Sequence, residues 1–377
     1  MKIDDKTSHN SPSLRFPEFT GEWEESTIGK EFDLYSGNTP SRLNKEHFKG
    51  KVNWISSGEL KNHYIYSSKE QISEDAAKNL KLLPKGTFVI AIYGLEAEGV
   101  RGTGSITQEP STISQACMAF IPQGDIENEF LYSWYKKHGE VIGVRYAQGT
   151  KQQNLSYDIL EKFKIAYPSI KEQKKLNKFI ALLDERIAVQ TRLIDRLQSL
   201  MIGIAQKIAH SNKPNVRISD CLECSSSALQ ESEVNKTGKY PVYGANGIVG
   251  YIDKYHTQNE AIYIIKDGSG VGGVSYVTGK CSSTGTLNIL QAKNGHSLKY
   301  LYYLLKVFNF VPYKTGMAIP HIYFKDYGKA KIFCPAYPEQ LEYAKLLSSI
   351  DGNLRIALDS LKNFNLQKQY LLRHMLI

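Results

Sequence analysis

The chain has 377 residues, 41% of them hydrophobic, and 47 Lys and Arg against 38 Asp and Glu give a net charge of +9 and a pI near 9.0. That length accommodates two or three domains, each with its own core, without disulfide support. No apolar run reaches the ~18 residues of a membrane span and the opening MKIDDKTSHNSPSLRFPEF has no signal-peptide core, so a membrane is excluded as partner and the expected location is cytoplasmic.

Residues 1–13 are polar, with Ser, Asn and Pro, and are predicted to be a flexible tail. Residues 14–168 read as a first globular domain: TFVIAIYG and QACMAFIP are β-type runs bounded by Gly and Pro, and NEFLYSWYKKHGEVIG is a helix. Over residues 169–212 the character changes. Ile180, Ile187, Ile194, Met201 and Ile208 fall seven apart, and Leu183, Leu197 and Ile204 take the intermediate seam with Gln190. Ser169 and Glu172, just after Pro168, form a capping-box pattern that starts this helix. Its ~40 residues predict a rod of roughly 60 Å.

HSNKPN stops the rod, because Pro214 cannot continue the helical ladder. Residues 213–335 are a second mixed domain, with strand-like AIYIIKDG and GGVSYVTG and a helix at SLKYLYYLLKVF. Residues 336–377 form a second rod from Pro338, with Leu347, Leu354 and Leu361 seven apart and Ile350, Ala357, Phe364 and Leu371 on the partner positions. Both seams are narrow, the pattern of helices that pair with each other.

The two halves also repeat one another. KIAYPSIKEQ from Lys164 and KIFCPAYPEQ from Lys331 stand at an offset of 167, which also places Asp184 on Asp351, Gly149 on Gly316 and Leu155 on Ile322. The expected fold is α+β (mixed α/β): two repeated heads separated by two long antiparallel coiled-coil helices, with an internal pseudo-two-fold relation.

No catalytic constellation stands out. GSGVGG satisfies G-x-G-x-x-G at Gly268, Gly270 and Gly273, but the strand pattern VSYVTGK follows where a helix would have to open, so a glycine-rich hairpin is expected. Five cysteines imply no disulfide framework, and the C-x-x-C of Cys221 and Cys224 has no second pair at finger-like spacing; reduced cysteines and no metal are expected.

Basic and amide-rich loops suit DNA, because Arg and Lys grip phosphates or guanine edges while Gln and Asn match the adenine edge. In the first head these are Arg42, Lys45, Lys49 and Lys51 in GNTPSRLNKEHFKGK, Arg101 in EGVRGTGS, and Lys151, Gln152, Gln153 and Asn154 in GTKQQNLS. In the second head, NKTGKYPVYGANG offers Lys236, Lys239, Tyr243 and Asn246, and PYKTGMAIPH offers Lys314 and His321.

LRFPEFTGEWEESTIGKEFDLYSGNTPSR followed by FKGKVNWISSGEL resembles the opening of the specificity subunit of type I restriction-modification systems. KYPVYGANGIVGYID is similar to a stretch of its recognition domains, and EQKKLNKFIALLDERI and PEQLEYAKLLSSIDGNL resemble its two helical regions. The resemblance implies a non-catalytic subunit that binds double-stranded DNA, each recognition domain reading one half of a split asymmetric site and the helices setting the spacing. It also implies docking of two methylation subunits, with two restriction subunits joining in the full complex. No cofactor is expected in this chain; S-adenosylmethionine, ATP and magnesium would sit on the partners. The alternatives are a single-chain nuclease or methyltransferase with a coiled-coil spacer, and a structural adaptor without sequence preference.

Overall fold

A computed structural model describes residues 10–96, 99–149, 153–211, 213–316 and 318–377. Four helices of these described residues exceed eight residues: α1 (Asn128–Tyr146), α2 (Ile170–His210), α3 (Leu298–Val307) and α4 (Tyr337–Met375). No helix of the described residues is long and apolar enough to cross a membrane. The chain divides into two compact units, Met1–Val189 with Leu361–Ile377, and Gln190–Ser360, so each long helix contributes one part to each unit.

In the first unit, a five-stranded sheet runs in the order Phe32–Ser36, Cys117–Pro122, Phe88–Ala91, Gly104–Thr107, Tyr64–Ile65. Phe88–Ala91 is buried throughout, which fits the unbroken apolar TFVIAI run at its centre. A three-stranded sheet places Val52–Ile55 between Glu70–Ile72 and Ser111–Ile113, and a ribbon pairs Glu24–Thr27 with Lys164–Tyr167. Helix α1 covers one face of the large sheet and packs Phe130, Trp134 and Ile142 into a core shared with Trp23, Phe88 and Phe120. Leu176 and Ile180 of α2 and Leu372, Met375 and Leu376 at the end of α4 belong to the same core.

Residues 10–13, placed in a free tail by the sequence, are held: Trp23 N–H donates to Asn10 O at 2.8 Å, and Ser13 Oγ lies 2.9 Å from His374 Nδ1. The Glu172 carboxylate, assigned to a capping box with Ser169, is gripped by Arg15 through two hydrogen bonds of 2.7 Å. Polar pairs also cross between the helices of this unit: Lys368 Nζ donates to Asp184 Oδ1, and the Arg186 guanidinium stands 4.4 Å from the Phe364 ring centre. Position rises on α2 as it falls on α4, so the two run antiparallel.

The second unit repeats the plan with one strand fewer. Its larger sheet is ordered Leu222–Ser226, Leu287–Ala292, Glu260–Ile265, Val274–Thr278; a smaller one sets Tyr240–Gly244 between Gly247–Ile252 and Ser282–Ser283; a ribbon pairs Val216–Arg217 with Lys331–Ile332. Glu260–Ile265 and Val274–Thr278 pair antiparallel across the glycine-rich segment, the hairpin that the strand pattern predicted. Gln190 Nε2, the polar residue of the α2 seam, donates to Ala357 O on α4 at 2.9 Å.

Of the seam positions, Ile180, Ile194, Met201, Ile208, Leu347, Leu354 and Ala357 are buried in their units. Leu183, Ile187, Leu197, Ile204, Ile350, Leu361, Phe364 and Leu371 are half-buried. Leu182 and Val189 in the first unit and Leu193, Leu200, Leu346 and Ile356 in the second are exposed on the outer faces of the helices.

Candidate nucleic-acid interface

In the first head, the buried strand Phe88–Ala91 runs out into a loop that meets a second loop leading from α1. Leu155 N–H donates to Ile92 O (2.9 Å), Leu95 N–H to Gln153 O (3.0 Å), and Gln148 and Asn154 exchange both backbone hydrogen bonds (2.8 and 2.9 Å). Side chains add to this frame: Arg101 Nη2 donates to Gln153 Oε1 at 2.9 Å, and Glu96 Oε2 accepts Gln153 N–H at 2.8 Å. That hydrogen bond to the Gln153 amide holds the Glu96 carboxyl below the usual range. The structure thus brings together Arg101 and Gln153, which the sequence placed in separate loops.

Two glycines make the arrangement possible. Gly102 has φ of +65° and a Cβ there would stand 3.0 Å from Glu140 N; a Cβ on Gly143 would stand 3.1 Å from the Arg101 side chain. The Arg101 stem therefore lies directly on the α1 backbone, with its Nε buried and without a partner among the described residues. Asn154 Oδ1 is buried and unpaired in the same sense. Lys151 and Gln152 lie outside the described residues.

The second head builds the same frame. Ile322 N–H donates to Lys266 O (2.9 Å), Gly268 N–H to Pro320 O (3.0 Å), and Thr315 and His321 exchange both backbone hydrogen bonds (2.9 and 2.7 Å). At the offset of 167, Gln153 and Asn154 correspond to Pro320 and His321, and the backbone bonds correspond one for one. The side chains differ: His321 Nδ1 pairs with Asp267 Oδ1, both about one-third exposed. Lys314 is exposed beside this frame.

The remaining candidates are less free than their sequence suggests. Arg42 makes two parallel bonds to Glu70 (2.8 and 2.7 Å) and lies over the rings of Phe48 (4.4 Å) and Trp54 (5.4 Å), so its charge clamps the loop from 38 to 50. The hydrogen bond to Glu70 raises the Arg42 pKa and lowers that of Glu70. Lys49 pairs with Glu46 at 2.7 Å, whereas Lys45 and Lys51 are exposed with no ion-pair partner among the described residues. In the second head Lys236 and Asn246 are exposed, Asn246 at the turn between Tyr240–Gly244 and Gly247–Ile252. The register shifts between Val242 and Tyr243, which redirects the Tyr243 ring against Tyr263 at 5.8 Å. The Lys239 amine lies 5.5 Å over Tyr240.

Sequence reasoning missed the acids that hold these residues: Glu70 and Asp267, which pair with the Arg42 and His321 side chains, and Glu96, which accepts the Gln153 backbone N–H. Asp267 in KDGSG could have been noticed as an acid in a glycine loop; Glu70 has no local signal, since its partner lies on a separate loop.

The family model described as "Type I restriction modification DNA specificity domain" matches twice, over residues 20–199 and 211–363. The MjaIX specificity subunit of a type I restriction enzyme from Methanocaldococcus jannaschii is 27% identical over 189 residues, 48% of this chain and 43% of that protein's length. The EcoprrI specificity subunit from Escherichia coli is 22% identical over 359 residues, 86% of each chain. Among solved structures, an S subunit of a type I restriction-modification system from M. genitalium superposes with a TM-score of 0.67 at 19% identity, covering 97% of this chain and 99% of the other. A chain from a study of complex assembly and conformational transition of a type I R-M system gives 0.55 at 14% identity, covering 93% and 96%.

Proposed function

Because the chain belongs to the type I restriction-modification DNA specificity family, and so serves DNA target recognition as a non-catalytic subunit, we propose that each head reads one half of a split, asymmetric double-stranded target. The observation that carries this reading is the shared loop frame: one backbone pattern holds Gln153 and Asn154 in the first head, with Arg101 bonded to the Gln153 side chain, and Pro320 and His321 in the second, with Asp267 bonded to the His321 side chain. An equal frame with unlike side chains suits two readers of different base sequences.

The long helices set the distance between the half-sites and dock two methylation subunits, with two restriction subunits joining to complete the endonuclease. Outward-facing apolar residues on both helices, such as Leu182 in the first unit and Ile356 in the second, supply surface for such docking. S-adenosylmethionine, ATP and magnesium belong to those partners in this reading.

The test is a head exchange. Residues 13–167 are replaced by the matching region of a relative, the chimera is expressed with a methylation subunit, and methylated sites are sequenced. One half-site should change and the other persist; a simultaneous change of both halves overturns the reading.

A further inference from the structure

At the base of the second head, three side chains that the DNA-reading function does not use converge. Cys221 ends the short helix Ile218–Cys221, His296 immediately precedes the N-cap of α3, and Cys334 follows the ribbon strand Lys331–Ile332 just before α4. The two thiol sulfurs and an imidazole nitrogen all lie within 4.8 Å of one another, and Cys334 Sγ is 3.5 Å from His296 Nδ1. Both cysteines are buried and His296 is half-buried.

We propose that Cys221, His296 and Cys334 form a zinc site, with water as the fourth ligand, that ties the second head to the start of α4. Tetrahedral zinc with two sulfurs at about 2.3 Å and a nitrogen at about 2.0 Å sets its ligand atoms roughly 3.5–3.8 Å apart, so the cluster needs only a small contraction to close on the ion. Two thiolates and an imidazole are a soft set that favours zinc over magnesium or calcium. Each thiol gives up its proton to solvent as it binds.

The backbone around the cluster is fixed in advance. Asn215 Nδ2 donates to Cys334 O and Asn215 Oδ1 accepts Cys334 N–H, both at 2.8 Å, while Lys293 N–H donates to Cys221 O at 2.9 Å. His296 also lines a cavity open to solvent with Glu260, Tyr276 and Lys345, so the imidazole borders solvent while the two thiols are buried.

The first head supplies an internal comparison. Gln123 N–H donates to Glu31 O as Lys293 N–H does to Cys221 O, Tyr167 stands at the offset of 167 from Cys334, and Ile126 precedes the α1 N-cap as His296 precedes that of α3. There the same place holds a carboxylate and a phenol, with Tyr167 OH donating to Glu31 Oε1 at 3.3 Å, beside a buried Ile126. The fold thus closes this junction without sulfur in one repeat, and three soft ligands replace that closure in the other. Cys224, the second cysteine of the C-x-x-C, is not a member, which is why the motif spacing gave no sign of the site.

The full chain, purified under reducing conditions from zinc-supplemented medium, is expected to carry one zinc per chain by elemental analysis. Titration with cobalt as probe should show thiolate-to-cobalt charge-transfer absorption. Cys221→Ser, Cys334→Ser and His296→Ala should each weaken zinc binding by more than the ~10–100-fold cost of losing a second-shell partner, while Cys224→Ser and Cys117→Ser leave it unchanged. Chelation should lower the melting temperature of the wild type and not that of the double variant Cys221→Ser/Cys334→Ser. A wild-type chain that takes up no zinc, cobalt spectra without thiolate bands, or full zinc retention by the double variant overturns the proposal. If the variants do not fold, the wild-type stoichiometry and cobalt spectrum decide it alone.

Discussion

Gln173 Oε1 accepts the backbone N–H of Glu127, the N-cap of α1, at 2.9 Å, and its amide nitrogen donates to the carbonyls of Asp125 (2.8 Å) and Pro168 (2.9 Å). In the second unit, Gln340 Oε1 accepts the N–H of Ser297, the N-cap of α3, and its nitrogen donates to Pro335 O, both at 2.8 Å. One fully buried amide thus fastens the start of a long helix to the start of a head helix, twice, and this is the physical content of the repeated Pro…Glu-Gln motif. Gln173→Leu and Gln340→Leu should each leave buried backbone groups unpaired and cost about 1–3 kcal/mol. Urea unfolding of each full-chain variant measures this; the side-chain hydrogen bonds are irrelevant if stability is unchanged.

The Glu of the same motif behaves differently in its two copies. Glu172 is buried against Arg15, whereas Glu339 is exposed and accepts from Tyr343 OH. Arg15→Met strands a buried carboxylate and should cost about 3–5 kcal/mol, most of it restored by adding Glu172→Gln. A thermal melt of the single and double variants checks this, and Glu339→Gln should melt like the wild type.

His63 lies between the rings of Tyr64 and Tyr132, 4.0 Å from each, with Glu129 Oε2 2.8 Å from Nε2 and Asp184 Oδ2 3.4 Å from Nδ1. Burial opposes its charge, but the neighbouring Asp184 and Glu129 carboxylates outweigh that, and the net pKa is raised. A raised folded pKa gives stability that is complete below the unfolded value of about 6.5 and lost as pH rises through the folded value. Unfolding free energy measured against pH should therefore fall across that window in the wild type, and His63→Phe should lack the fall. Lys136 works oppositely at higher pH: burial, then the charge of Lys368, lowers its amine to about 8, so its cost fades as pH climbs past 8.

In DNA binding, Arg101→Ala should weaken the specific duplex by about 1–3 kcal/mol and relax the bases accepted at one half-site. Lys51→Ala, which removes an exposed charge, should weaken all duplexes alike and reduce the salt slope by about 1. Fluorescence anisotropy across a salt series separates the two; equal salt slopes for both variants refute the assignment.

Duplicating seven residues between Ile187 and Ile194 keeps the seam register and should lengthen α2 by roughly 10 Å. If the helices measure DNA, the gap between half-sites grows by about two to three base pairs at ~3.4 Å each while the bases read stay the same. Sequencing of methylated sites shows either that shift or an unchanged or variable gap, which removes the ruler.

What the sequence disclosed was local or periodic. The strands at Phe88 and Cys117, the helices at Asn128 and Leu298, the α2 and α4 seams and the hairpin across GSGVGG all follow from spacing and turn residues within short windows. What stayed hidden depends on residues far apart meeting after folding: Arg42 with Glu70, His63 with Asp184, and Cys221 with Cys334. The Ser169–Glu172 pattern shows the limit, since a distant Arg15 takes the carboxylate that a local rule assigned to the backbone.

The loop frame common to both heads is closed by peptide groups, with Asn154 and His321 in equivalent places and their side chains free of the closing bonds. Selection can therefore rewrite those side chains without disturbing the frame that presents them. If these side chains read DNA, as proposed, a host facing invaders whose DNA has lost the old target could acquire a new one by a few codon changes, and the closing bonds of each frame lie within its own head.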